Sequence, residues 1–284
     1  MKLAFSTLGC PDWELEQIAK TALALGYEGI ELRALGGSLD LLSHPELQAN
    51  KVSRTLSRLN DQGLVVCCVD TSCRFDSQDA DELSEQIEIA VRHGELAAAL
   101  NAPLIRVFPD KIPAGATREK TRDQIASCLK EIAKRLPESV NLGLETHGDF
   151  ARGKYAAEIV RLADHPKISL IWDIANAVAS GDEMLESAKE VSPFLAHVHL
   201  RDAKHVEGKE HWLPVLAGRG SVSFAEAVKA VRSIGYDGFI CFEWEKYWHR
   251  ELEEPETAFA DFAQAMKENL QVKVTESGLK KIEK

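Results

Sequence analysis

Leu25-Gly-Tyr-Glu-Gly-Ile-Glu-Leu32 reads as the end of a helix, a stop, and the opening of a strand. Gly26 suits the left-handed conformation that terminates helices. Upstream, Leu15, Ile18, Ala22 and Leu25 recur at three-to-four spacing, which predicts a helix over Trp13–Leu25 with Asp12 as its cap. Downstream, Gly29–Leu32 is a short apolar run fit for a strand. Nearly the same words return at Ile234-Gly-Tyr-Asp-Gly-Phe239, again between a helical pattern and a strand-like run. The repetition is a weak mark of a recurring strand–helix unit.

Working outward from these two places gives eight strand-like runs: Leu3–Thr7, Gly29–Leu32, Leu64–Asp70, Leu104–Phe108, Val140–Glu145, Ile168–Asp173, Leu195–Leu200 and Phe239–Trp244. Longer segments with helical periodicity lie between them. Ile125, Leu129, Ile132 and Leu136 form a stripe closed by Pro137. Ser223-Phe-Ala-Glu226 reads as a capping box, and Phe259, Phe262, Met266 and Leu270 line a last helix. No hairpin turn separates the strands, so the sheet is expected to be parallel. No GxGxxG follows the first strand, and near-equal units favour closure over an open doubly wound sheet. The predicted fold is α/β: a single (β/α)8 barrel over residues 1–271, with a short polar tail over 272–284 expected to fray.

The totals agree with one soluble domain. The chain has 284 residues, 45 % of them hydrophobic and 28 % charged, an ordinary globular balance. A net charge of -11 argues against a nucleic-acid partner. The N-terminus lacks the basic flank and apolar run of a signal peptide, and no apolar segment approaches membrane-spanning length. The six cysteines (Cys10, Cys67, Cys68, Cys73, Cys128, Cys241) show no CxxC spacing, and read as buried free thiols of a cytoplasmic protein. A homo-oligomer is possible, but no residue points to an interface.

In a barrel of this kind, function sits where strands end. The second half of the chain ends its strands in Leu144-Glu145-Thr146-His147, Ile171-Trp172-Asp173, His197-Val198-His199-Leu200-Arg201-Asp202 and Phe242-Glu243-Trp244-Glu245. Four consecutive strands thus deliver Glu145, Asp173, His199 and Glu243. Three carboxylates in one place repel one another. A dication resolves that repulsion, and three carboxylates with one imidazole suit Mn²⁺, Mg²⁺ or Co²⁺.

With these motifs in order, the chain resembles the xylose isomerase-like barrels, and within them the sugar phosphate isomerase/epimerase group. The resemblance rests on Phe5-Ser-Thr-Leu-Gly-Cys-Pro11, Gly26-Tyr-Glu-Gly-Ile-Glu-Leu-Arg33, Leu144-Glu-Thr-His147, Trp172-Asp173, His197-Val-His-Leu-Arg-Asp202, Gly218-Arg-Gly220 and Phe242-Glu-Trp-Glu-Lys246, with Glu251-Leu-Glu-Glu-Pro255 behind it. It implies that Glu145, Asp173, His199 and Glu243 bind one divalent metal ion (Mn²⁺, Mg²⁺, Co²⁺ or Zn²⁺). It further implies that Glu145 and Glu243 exchange a proton beside a carbonyl through an enediolate that the metal stabilises. Many relatives carry a histidine three residues after the strand-six aspartate. Here that place is Asn176, which hydrogen-bonds but does not titrate.

Further candidates follow from position. His147 lies two residues past Glu145, on the same side of the strand, and is expected with Asn176 and Arg201 to contact substrate. His197 shares a face with His199 but sits deeper, as a supporting or core residue. Arg33 and Arg106 close strands two and four, and either binds an anion or pairs with an acid. Arg201 and His205 share a loop fit for a carboxylate or phosphate. Trp13, Trp244 and Trp248 are candidates for the pocket wall. Glu251–Glu254 reads as a solvated loop. The expected function is a metal-dependent isomerase or epimerase of a sugar or polyol. Alternatives are a dehydratase of a polyol or keto acid on the same site, an abasic-site endonuclease-like repair enzyme, or a non-catalytic sugar-binding barrel.

Overall fold

The structure, a computed structural model, describes residues 1–207 and 212–271 and the backbone of 273–275 and 278–280. Eight parallel strands close into a barrel: β1 (Lys2–Ser6), β2 (Gly29–Leu32), β3 (Val65–Arg74), β4 (Leu104–Phe108), β5 (Asn141–Glu145), β6 (Ile168–Asp173), β7 (Leu195–Leu200) and β8 (Phe239–Phe242). β1 closes the ring, pairing with β8 (Phe5 opposite Phe242) and with β2 (Ser6 opposite Glu31). The outer helices are α1 (Leu15–Leu25), α2 (Val52–Asn60), α3 (Ala80–Ala99), α4 (Arg118–Arg135), α5 (Gly153–Ala163), α6 (Ile174–Ala179), α7 (Met184–Val191), α8 (Phe224–Ser233) and α9 (Pro255–Leu270). Among the described residues no helix is long and apolar enough to cross a membrane.

The expected strands are all present, with shifted ends. β3 continues past Asp70 to Arg74, and β8 stops at Phe242, so Glu243 follows the strand instead of lying in it. Gly26 ends α1 at φ 82°, as the glycine stop requires, and Ser223 accepts from the Glu226 N–H at 3.3 Å at the start of α8. Asp12 does not cap α1. The helix begins at Leu15 behind Glu14, and the Asp12 carboxylate accepts instead from Arg250 at 2.5 Å, tying the first βα loop to the last. The six cysteines are free and buried, as expected. In the tail, Lys273–Thr275 and Gly278–Lys280 pair antiparallel; the rest of 272–284 lies outside the described residues.

Two kinds of interior hold the barrel. Between strands and helices the packing is apolar, and aromatic at the closing seam. Phe5 stacks on Phe259 at 4.1 Å and Phe242 on Phe262 at 4.4 Å, while the Tyr27 hydroxyl donates to the Phe259 carbonyl at 2.8 Å. Each such ring contributes roughly 2–3 kcal/mol by burial, so α9 is bonded to the seam by its Phe259 face. Inside the barrel small apolar clusters (Ala4, Cys67 and Cys241; Cys68, Leu104 and Ile171) accompany a polar set. Glu31 on β2 meets His199 on β7 at 2.8 Å, and Arg106 on β4 meets Glu243 beyond β8 at 2.8 Å. Neither pair of strands is adjacent, so both contacts cross the lumen.

One buried histidine away from the lumen makes stability depend on pH. His93 of α3 donates through Nδ1 to the Ile89 carbonyl at 2.8 Å. Burial lowers its pKa, the Ile89 bond and Asp40 oppose this, and Arg33 and Arg92 add to it. A histidine with a depressed folded-state pKa contributes stability that is complete above its ordinary value of about 6.5 and is lost as pH falls below it. Thermal unfolding at pH 7.5 and 5.5 should show the wild type losing stability relative to His93→Gln in acid. An unchanged difference between the two proteins would contradict this.

Candidate active site

Register brings the strand-end residues together. Asp173 on β6 pairs directly with His199 on β7, and His199 pairs with Cys241 on β8, two residues before Glu243. Two residues along a strand restore the same face, so Glu243 joins the side that holds His199. The result is one cluster in which Glu145, Asp173, His199 and Glu243 each offer a ligand atom within 4.8 Å of the others, all four residues being buried.

Two guanidinium groups stand among these acids. Arg106 Nη1 donates to Glu145 Oε2 at 2.9 Å and to Glu243 Oε1 at 2.8 Å, and lies 3.5 Å from Asp70. Arg201 Nη1 donates to Asp173 Oδ2 and, at 3.2 Å, to Glu243 Oε2, while its Nη2 reaches Glu245 at 2.9 Å and Asn176 Oδ1 at 3.1 Å. Burial, then the Glu243 charge, pushes the Glu145 carboxyl up to about 7. Burial acts the same way on Glu243, but His199, Arg106 and Arg201 outweigh it and hold that carboxylate well below the usual range. Burial likewise opposes charge on His199, yet Glu31 and Glu243 draw it toward the imidazolium. The two glutamates are thereby pushed in opposite directions.

The donor set fits a divalent cation. His199 Nδ1 is buried without a hydrogen-bond partner, 3.7 Å from Glu145 Oε2 and 3.6 Å from Glu243 Oε2. Carboxylate oxygens with one imidazole suit Mn²⁺, Mg²⁺, Co²⁺ or Zn²⁺. Above the cluster opens a cleft of about 620 Å³ whose lining includes Glu145, His147, Asn176, Arg201, Glu243 and Glu245.

The remaining expected residues divide. His147 reaches the cleft, its ring tilted against Phe108 at 4.7 Å, and lies 3.5 Å from Asp110. Burial lowers its pKa, but Asp110 and Glu145 dominate and raise it. Asn176 also lines the cleft, with its amide engaged by the Thr146 carbonyl at 3.3 Å and by Arg201. Of the three tryptophans only Trp248 lines the cleft; Trp13 and Trp244 are packed in the core, because the end of β8 turns Trp244 inward to donate to the Glu253 carbonyl. His205 meets Trp212 edge-on at 6.5 Å and is not part of the lining. Arg106 is a paired residue of the lumen, and Arg33 donates to Ser72 at 2.7 Å. Sequence reasoning missed Asp110, Trp212, His249 and Glu245 as lining residues; Glu245 alone had a signal, two residues after Glu243.

A parallel (β/α)8 barrel with its polar constellation gathered at the C-terminal ends of its strands has the architecture of a barrel enzyme. The model of the xylose isomerase-like TIM barrel family matches residues 19–269, and the chain belongs to that family. An inosose dehydratase of Lacticaseibacillus casei is 29 % identical over 142 residues, 44 % of this chain and 47 % of that protein. The chain thus spans about half the length of the first curated relatives it matches. A 3-dehydroshikimate dehydratase of Bacillus anthracis is 24 % identical over 247 residues, 80 % of this chain and 84 % of that protein. Among solved structures, the IOLI protein with a bound zinc atom superposes with a TM-score of 0.77 at 18 % identity, covering 94 % of this chain and 99 % of that one. A D-tagatose 3-epimerase-like protein gives 0.74 at 17 %, covering 95 % and 98 %. At these identities the structural likeness speaks for the fold.

Asp202 is buried directly behind Arg201 and explains Gly220. Its carboxylate accepts from the N–H groups of Ala203 at 2.8 Å, Gly220 at 2.8 Å and Val222 at 2.9 Å. A side chain on Gly220 would collide with Asp202 Oδ1 and the Ala203 carbonyl. Asp202→Ala strands the buried N–H groups of Ala203 and Val222 and frees the part-buried one of Gly220, and should cost about 2–3 kcal/mol, read from urea unfolding; Gly220→Ala should destabilise in the same direction. Wild-type stability in both would show that this carboxylate does not hold the loop.

Proposed function

We propose that this chain is a divalent-metal-dependent isomerase or epimerase that removes and returns a proton on the carbon beside a carbonyl of a sugar or related polyol. The observation that carries the reading is the delivery of two glutamates, Glu145 and Glu243, into one cleft from strand ends three strands apart. Moving a proton from one face of a carbon to the other needs a base and an acid on opposite sides, and these two are the candidates.

The metal, held by Glu145, Asp173, His199 and Glu243, would polarise the carbonyl and lower the cost of an enediolate. The chain's own groups do the rest. The carboxylate of one glutamate takes the proton, and the carboxyl of the other returns it. Arg106 Nη1, bonded to both, fixes their separation from below. Arg201 and Asn176, joined at 3.1 Å, form a hydrogen-bonding edge for substrate hydroxyls. Trp212 and Trp248 shield the cleft from the side. Asn176 hydrogen-bonds without titrating, so proton transfer in this reading rests on the glutamates.

Dehydration is the second reading, supported by the two dehydratase relatives. The same proton abstraction then expels a neighbouring hydroxyl, which takes up a proton and leaves as water; His147, beside Asp110 at the cleft wall, is the candidate donor.

The test is solvent exchange. Protein supplied with Mn²⁺ or Co²⁺ in D₂O should incorporate deuterium beside the carbonyl of at least one ketose, inosose or dehydroshikimate-like acid. A product of unchanged composition and inverted configuration identifies an epimerase; loss of water identifies a dehydratase. Glu145→Gln and Glu243→Gln should each slow exchange by about 10²–10⁴-fold. Absence of exchange across the panel, with metal bound, would overturn both readings.

A further inference from the structure

Glu31 is fully buried in the barrel lumen, yet it comes from β2, opposite the strands that carry the cluster. Its Oε2 lies 2.8 Å from His199 Nε2 and 3.1 Å from His197 Nε2. A carboxylate oxygen in such contact accepts, so both imidazoles donate, and His199 Nε2 bears a proton whatever the charge of the ring. The opposite nitrogen, Nδ1, is the atom that faces Glu145 and Glu243 without a hydrogen-bond partner. His197, its ring edge-on to His199 at 5.3 Å, buttresses the same oxygen from the next inward position of β7.

We propose that Glu31, with His197 beside it, is the positioning residue of the cluster: it grips His199 through Nε2 and thereby presents Nδ1 to a divalent cation. The inference rests on His199 acting as a ligand. It assigns a task to the Gly26–Arg33 segment, none of whose residues touches the cleft. It also accounts for a charged group deep in a barrel. An unpaired carboxylate there is costly; the two imidazoles compensate it through Oε2, while Oε1 is buried without a hydrogen-bond partner. A carboxylate that bonds the outer nitrogen of a ligating histidine fixes ring orientation and raises ligand basicity, and its loss typically weakens metal binding 10- to 100-fold.

The experiment is a competition titration of Zn²⁺ on the full chain and on Glu31→Leu, Glu31→Gln and His197→Gln, with ¹⁵N-histidine spectra of the Zn²⁺-loaded proteins. In the wild type His199 should show a proton-bearing Nε2 and a zinc-shifted Nδ1. Glu31→Leu should weaken Zn²⁺ about 10- to 100-fold and abolish that pattern. Glu31→Gln, which keeps an acceptor oxygen, should recover part of the affinity, and it serves alone if the leucine variant does not fold. His197→Gln should have a smaller effect than Glu31→Leu. Equal Zn²⁺ affinity and an unchanged His199 signature in both Glu31 variants would overturn the positioning role while leaving the metal site standing. A wild type that takes up no Zn²⁺ would instead overturn the ligand reading on which the proposal rests.

Discussion

Mutual repulsion among Glu145, Asp173 and Glu243 is the constraint around which the barrel mouth is built. Their facing atoms lie within 4.8 Å, so each pair costs at least about 3 kcal/mol at an effective dielectric of about 20. Together that is on the order of 10 kcal/mol, as large as the whole stability of a typical domain. No fold keeps such a cluster without compensation. Arg106 meets it from below, bridging Glu145 and Glu243, and Arg201 meets it from the side, bridging Asp173 and Glu243. The rest of the repulsion is met by protons: burial and Glu243 push the Glu145 carboxyl up to about 7, and Glu31 and Glu243 draw His199 toward the imidazolium. A dication would do the work of those protons, and the donor atoms for it are the carboxylate oxygens and the unpartnered Nδ1 of His199.

The same constraint orders the surroundings. Asp202 anchors the loop behind Arg201 through three backbone N–H groups, so the guanidinium is held by its own backbone as well as by its partners. Lys246 does the corresponding work after β8, donating to the carbonyls of Arg250 and Leu252 and to Glu254. Trp248 and His249 thereby stay beside the cleft. The aromatic seam of Phe5, Phe242, Phe259 and Phe262 lies on the outer side of the same strands and supplies the apolar stability that the polar lumen lacks.

Much of this was legible in the sequence because the signals were local. Eight strand-like runs separated by helical patterns gave the barrel, and a charged or imidazole residue near the end of each of four consecutive strands gave Glu145, Asp173, His199 and Glu243. What failed to read was set by closure. Glu31 and Arg106 acquire their partners across the lumen, from strands far away in sequence, and no spacing along the chain reveals that. Asp12 looked like a cap because it precedes a helical stripe, but its carboxylate is claimed by Arg250 from the far end of the barrel. Trp244 was a candidate for the pocket wall, with Trp13 and Trp248. Alternation at the end of β8 turns adjacent residues to opposite sides, and Trp244 goes to the core.

The central claim, that the acids of the barrel mouth exist to hold a divalent cation, is tested most directly by elemental mass spectrometry of the protein purified without chelators, beside Glu145→Gln and Asp173→Asn. About one Mn, Co, Mg, Fe or Zn per wild-type chain is expected, with loss of that metal in both variants while they remain folded. A wild type that carries no metal and takes up none from Mn²⁺, Co²⁺ or Zn²⁺ solutions would contradict that claim, and would leave the barrel as a binding protein whose acids are balanced by Arg106, Arg201 and protons alone.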